Sequence, residues 1–325
     1  MDVIPLELVS HICSFACNDD GTTFKSLRAT NKYLRQVCFP MQYQSLSLNG
    51  HEDVAHLGEK LQAIPEHLRR IFHLHLSLPF PDPRSLHDNM NHLTRLLLLA
   101  SPTLETLAFS TPTEIASSTV IARLFRTPFP HLTELSIHGY YPFPDPAMVE
   151  MPLLERLHLS GNRNPYGLLP TLKGSFPSLT HLRLSGLSVA SSFARDLESH
   201  MKSHHCSVTC PRRLGENRVS FRAVENSEIL DHTPVHTSLP PRLQYIVVQT
   251  ETRRRGTVNS MKKDAAMMEI LRSCVDTHAG WREGAGKNSI RVSVGAPHAG
   301  QSSPCTLLYK NWSDRLMGGR GCWES

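Results

Sequence analysis

One short pattern recurs through the middle of the chain and constrains its fold more than any other feature. Pro102-Thr103-Leu104-Glu105-Thr106-Leu107-Ala108-Phe109, Pro130-His131-Leu132-Thr133-Glu134-Leu135-Ser136-Ile137, Pro152-Leu153-Leu154-Glu155-Arg156-Leu157-His158-Leu159 and Pro177-Ser178-Leu179-Thr180-His181-Leu182-Arg183-Leu184 all read Pro-x-Leu-x-x-Leu-x-apolar. Their prolines stand 28, 22 and 25 residues apart. Pro241 to Val248 is a later copy, with Ile246 and Val248 in the apolar slots. A unit of this length cannot bury its apolar face alone, so neighbouring copies must stack. Alternate residues of a strand face opposite sides, so Leu157 and Leu159 point inward while Arg156, His158 and Ser160 point out. The pattern predicts parallel strands side by side, with helices or loops returning between them.

The spacing resembles that of leucine-rich repeats, and Leu154 to Asn162 fits their form Leu-x-x-Leu-x-Leu-x-x-Asn completely. The other copies are irregular, with Pro112, Tyr140 or Leu187 where the Asn would stand. The strand and helix alternation extends to both sides. Met41 to Leu48 alternates as a strand and closes at Asn49-Gly50, Leu57, Leu61, Ile64 and Leu68 have helical spacing, Ile71 to Leu78 is strand-like, and Met90 to Ala100 is a helix. Further on, Ser191 to Met201 and Thr257 to His278 suit helices, and Val219 to Val224 and Ile290 to Val294 suit strands.

At the N-terminus, Ile4, Leu8, Ile12 and Phe15 recur at helical spacing behind Pro5, which suits a first helical turn. Asn18-Asp19-Asp20-Gly21 makes a polar turn, and Phe24, Leu27 and Leu34 begin a second stripe. Ile4-Pro5-Leu6-Glu7-Leu8, Ile12, Leu27-Arg28 and Asn31-Lys32-Tyr33-Leu34-Arg35 resemble the F-box, with Leu34 where Trp is common. An F-box followed by degenerate leucine-rich repeats is a frequent arrangement among fungal F-box proteins. The resemblance implies an α/β chain with an N-terminal helical F-box followed by an irregular leucine-rich-repeat solenoid. Its boundaries would be a helical module at 1–40, repeats at 41–300 and a capping tail at 301–325. It also implies a substrate-recognition subunit of an SCF-type ubiquitin ligase. Pro5, Leu8, Ile12, Leu27 and Leu34 would dock a Skp-type adaptor and, through it, a cullin.

Composition narrows the alternatives. With 40% hydrophobic and 19% charged residues, the chain is expected to fold in water. Its longest aliphatic run, Leu96 to Ala100, falls far short of the roughly 20 residues that cross a bilayer. The N-terminus lacks a basic, apolar leader. Eight unpatterned cysteines then read as reduced thiols of a cytoplasmic or nuclear protein. The net charge of +5 sits in the C-terminal part, densest at Arg253-Arg254-Arg255 and Lys262-Lys263. No aromatic residues interleave there to stack bases, which argues against nucleic acid.

Nineteen histidines invite a test for catalysis. His51 and His56 flank Glu52 but stand five apart, where a zinc-protease helix needs four. His204-His205-Cys206 with Cys210 lacks a second paired cluster, Gly286-Lys287 lacks the remaining positions of a phosphate loop, and Cys13 and Cys17 read as buried small hydrophobes. No Gly-x-Ser-x-Gly elbow occurs. The expectation is therefore a non-catalytic protein without cofactor or metal. Glu134, His138, Arg156, His158, His181 and Arg183, the outward row of the repeat strands, are the candidate contacts with a protein target. The alternative is a leucine-rich-repeat scaffold or interaction protein without ligase association, whose N-terminal helices merely cap the repeats.

Overall fold

The computed structural model describes residues 4–79, 86–111, 114–209, 239–251, 257–279, 290–295 and 303–323. Three short helices open the chain: α1 (Leu6–Ala16), α2 (Thr22–Thr30) and α3 (Lys32–Val37). Pro5 precedes α1, where its missing N–H costs nothing. The Asn31 side chain accepts a hydrogen bond from the Leu34 amide at 2.7 Å and starts α3.

Asp19 organises the turn before α2. Its carboxylate takes the Thr23 amide at 2.8 Å, the Gly21 amide at 2.9 Å and the Thr22 hydroxyl at 2.8 Å. Burial by itself raises the Asp19 carboxyl, but the hydrogen bonds from Thr23, Thr22 and Gly21 outweigh it and hold the group below its ordinary value. A depressed folded pKa means that this stabilisation is full above about pH 4 and is lost as pH falls further. Asp19→Ala should cost about 1 kcal/mol, measurable as a lower urea midpoint at pH 7, with the gap to wild type closing toward pH 3.

The rest of the chain alternates strand and helix: β1 (Ser45–Asn49), α4 (His51–Gln62), β2 (His73–Ser77), α5 (Leu86–Ala100), β3 (Thr106–Ser110), α6 (Glu114–Phe125), β4 (Glu134–His138), β5 (Arg156–Ser160), α7 (Leu168–Ser175), β6 (His181–Leu187), α8 (Ser191–Thr209), β7 (Tyr245–Thr250), α9 (Val258–Ala279), β8 (Arg291–Gly295) and α10 (Pro304–Leu316). The eight strands form one sheet in the order β1 to β8, every pair parallel. Register follows the leucine pattern. Leu46, Leu74, Leu107, Leu135, Leu157, Leu182, Ile246 and Val292 align across the sheet, and so do Leu48, Leu76, Phe109, Ile137, Leu159, Leu184, Val248 and Val294. These two rows enter one continuous core with the apolar sides of α4, α5, α7, α8 and α9. Most of that core is fully buried, so truncating a leucine such as Leu157 would leave a cavity.

This architecture corrects the expected fold class. The chain is an α/β fold with a single eight-stranded parallel sheet flanked by helices, not an N-terminal helical F-box followed by a leucine-rich-repeat solenoid. The leucine spacing specifies the inward rows but carries no information about the opposite face, and there α10 packs against β2, β3 and β4. Leu308 and Trp312 of α10 bury Ala108, and the Tyr309 hydroxyl donates to Asp20 at 2.9 Å. The N-terminal helices also join the sheet, because the Gln44 carboxamide, just before β1, donates to the Ser14 carbonyl at 2.7 Å. The strand expected at 219–224 lies outside the described residues.

Candidate functional site

Two faces concentrate side chains that a partner could read: an apolar one on α1 and a polar one on the sheet. On α1, Val9, Cys13 and Cys17 recur every fourth residue and point inward, onto Phe24, Leu34, Val37, Cys38 and Met41. Leu8, Ile12 and Phe15 therefore point outward, with exposures of 54%, 59% and 66%. The stronger apolar stripe of the helix is the one left in water. Burial, followed by the neighbouring thiols, pushes Cys17 up to about 11 and Cys38 up to about 12, so these groups stay protonated packing residues.

The five proposed adaptor contacts separate in the structure. Pro5, Leu8 and Ile12 are exposed, Leu27 is half-buried against the small N-terminal core, and Leu34 is inside it. Leu34 thus holds α3 in place. Leu6 on α1 and Phe39 after α3 are equally exposed apolar residues that periodicity did not single out, since neither falls on the stripe of Ile4, Leu8 and Ile12.

The polar face is built by the other side of the same strands. Glu134, Arg156 and His181 align in one row, His158 and Arg183 in the next, and His138 in the third. Most of this row is not an open surface, because the C-terminal segment lies against Glu134, His158, His181 and Arg183. The Glu134 carboxylate accepts the Trp323 indole N–H at 2.9 Å and the Arg315 Nε at 3.2 Å, and stands 3.6 Å from Arg156 Nη1. The Arg183 guanidinium donates to the Cys322 carbonyl and, at 2.8 Å, to Gln249 Oε1. His158 lies 3.0 Å from Ser185 Oγ through Nε2 and 3.7 Å from Cys322 Sγ through Nδ1. His181 stacks on Tyr245 with ring centroids 4.7 Å apart and meets Trp323 edge-on. His138 pairs with Ser160 Oγ at 3.0 Å.

Burial, with Arg156 adding to it, lowers the His181 imidazole; burial alone lowers His138, and burial lowers Arg183. Cys322 is pushed up to about 12 by burial. The Cys322 thiol touches His158 Nδ1, and burial holds that thiol in its protonated form. A separate groove of about 620 Å³ is lined by Pro102, Pro130, Pro152 and Pro177, the repeat prolines that precede the N-terminal ends of β3, β4, β5 and β6.

Among the described residues the remaining motifs do not gather into a site. His51 Nε2 lies 2.7 Å from the Pro79 carbonyl while His56 is exposed. Lys262 and Lys263 are exposed on α9. Arg253 to Arg255, Cys210 and Gly286-Lys287 lie outside the described residues, as do the side chains of His204, His205 and Cys206. Among the described residues no group of three or more His, Cys, Asp or Glu side chains is arranged to hold a metal, and no helix is long and apolar enough to cross a membrane. No protein-family model matches the sequence, and comparisons with curated proteins and with solved structures also give no match.

Proposed function

We propose that this chain is the substrate-recognition subunit of an SCF-type ubiquitin ligase, bridging a Skp-type adaptor and a protein target. The observation that carries this reading is the exposed stripe Leu8, Ile12 and Phe15 behind Pro5, on a helix whose other side already has a core. A solvent-facing apolar stripe is a cost that a docked partner helix removes, and these residues belong to the stretch that resembles the F-box. The target would meet the polar row of Glu134, His138, Arg156, His158, His181 and Arg183, displacing the C-terminal segment that lies on Glu134, His158, His181 and Arg183. Catalysis by this chain is then unnecessary, because holding a target beside the ligase raises its effective concentration. The cysteines at 13, 17, 38, 274, 305 and 322 are all free, which supports a cytoplasmic or nuclear setting.

One observation favours the second reading, an interaction scaffold without ligase association. Leu34, which the resemblance assigns to docking, is consumed by the N-terminal core. Co-expression with a Skp-type adaptor followed by size-exclusion chromatography decides between them. The wild-type chain is expected to co-elute with the adaptor. Leu8→Asp with Ile12→Asp should weaken the complex by more than about 100-fold, since each buried aliphatic side chain contributes roughly 1.5–3 kcal/mol. Both positions face water, so the melting temperature of the variant should match wild type. A wild-type chain that elutes alone would leave the scaffold reading.

A further inference from the structure

Beneath the C-terminal segment the sheet face carries more positive charge than it pairs. Arg156 and Arg183 come to this seam from the sheet and Arg315 from the segment, and among the described residues Glu134 supplies the one carboxylate in direct contact with any of them. Arg183 is only 8% exposed, yet both of its hydrogen-bond acceptors, the Cys322 carbonyl and Gln249, are neutral. A buried guanidinium without a carboxylate is under-compensated for the water it has lost. The same seam buries Arg156 Nε, Arg183 Nε, Trp312 Nε1 and His75 Nε2 with no hydrogen-bond partner. Three of these nitrogens are obligate donors.

The segment thus covers a donor-rich face with further donors, those of Arg315 and the indole N–H of Trp323. Its apolar hold is a small cluster, Leu308 and Trp312 on Ala108 with Tyr309 and Leu316 packed against them, separate from the main core. Such an element opens at lower free energy than the strands beneath it. What is missing from the seam is oxygen acceptors, and in particular a negative charge for Arg183. The present occupant is itself polypeptide, the helix α10 across β2, β3 and β4 followed by the turn Gly321–Trp323, so the face it covers can take a peptide segment.

We infer that residues 303–323 form a displaceable strap over a binding strip for an acidic peptide segment, in which carboxylates of the partner replace Cys322 and Trp323 and pair with Arg183 and Arg156. This inference rests on the reading of the polar row as the target face and adds the chemistry of the target and its control by the chain's own C-terminus. The partner lifts the strap by offering the acceptors that the strap lacks.

The test uses the full-length chain and a fluorescein-labelled ten-residue poly-glutamate peptide, with poly-glutamine of equal length as control, followed by anisotropy at low salt. Arg315→Gln with Trp323→Ala releases the strap from Glu134 and is expected to bind poly-glutamate roughly tenfold tighter than wild type. Adding Arg183→Gln should abolish that gain, and poly-glutamine should bind none of the proteins. Should the double variant melt early, Glu134→Gln loosens the same anchor from the sheet side and is expected to give the same gain. Equal poly-glutamate binding by wild-type and loosened chains, or a gain indifferent to Arg183→Gln, overturns the strap. Adaptor co-elution of the same proteins separates the two ideas. A loosened chain that keeps the adaptor but gains no peptide binding sinks only the strap, whereas a peptide gain without any adaptor binding sinks only the ligase reading.

Discussion

Gly161→Ala is expected to destabilise the fold by about 3–5 kcal/mol, the sum of a strained backbone and a steric clash. Gly161 follows β5 with φ +119°, and a Cβ built there would lie 2.3 Å from the Gly139 carbonyl oxygen and 2.6 Å from its carbon. The obstruction is backbone, so no side chain can rotate away. Gly139 cannot retreat either, since its own amide donates to the Ser160 carbonyl at 2.9 Å. Gly186 provides the control. It has φ +80° in the bulge of β6, but nothing lies within 4 Å of its Cβ position. Gly186→Ala should therefore cost only about 1–2 kcal/mol of backbone strain. Thermal melts followed by circular dichroism should show a fall of roughly 10 °C for Gly161→Ala and a much smaller one for Gly186→Ala. Equal falls would remove the close approach of the two loops as the cause.

The second large effect is acid lability set by the histidines of the polar face. Burial pushes both His73 and His75 down to about 4, and it lowers His138 and His181 as well. His75 is 2% exposed, with Nδ1 held 2.9 Å from Ser47 Oγ and its ring against Tyr309 and Trp312, so no carboxylate touches it. An unfolded chain protonates its histidines near pH 6.5. Above that value both states are neutral and the contribution is full. As pH falls from about 6.5 toward 4 the unfolded chain takes up protons that the native chain refuses, so stability declines. His75 alone should account for a loss on the order of 3 kcal/mol by pH 4. Urea midpoints measured between pH 7 and pH 4.5 should fall steadily, and His75→Gln should flatten the slope. A stability profile that stays level from pH 7 to pH 5 would contradict the buried neutral imidazoles.

For the candidate faces, the sequence was informative about one side of each element and silent about the other. Helical spacing identified Ile4, Leu8, Ile12 and Phe15 as a stripe, but apolar character alone did not tell an inward stripe from an outward one. The weaker set Val9, Cys13 and Cys17 fills the small N-terminal core, because Phe24, Leu34 and Val37 approach α1 from that side. Leu34 became a packing residue for the same reason. The polar row was legible as a row, since strand alternation puts Arg156, His158, His181 and Arg183 on one face and the register aligns them. That this face is covered was not legible. Residues 303–323 carry no repeat, and their contacts bridge large sequence separations, as when Arg183 meets Cys322 or Tyr309 meets Asp20.

By itself the sequence determined that repeat strands lie parallel and which residues form their two inward rows, because a period of 22 to 28 residues and a two-residue alternation are local properties that stacking converts directly into register. Only the tertiary structure decided that the sheet carries helices on both faces. Where α10 and the Trp323 indole come to rest depends on Ala108, Glu134 and Arg183 being brought together by strands that are far apart in the chain.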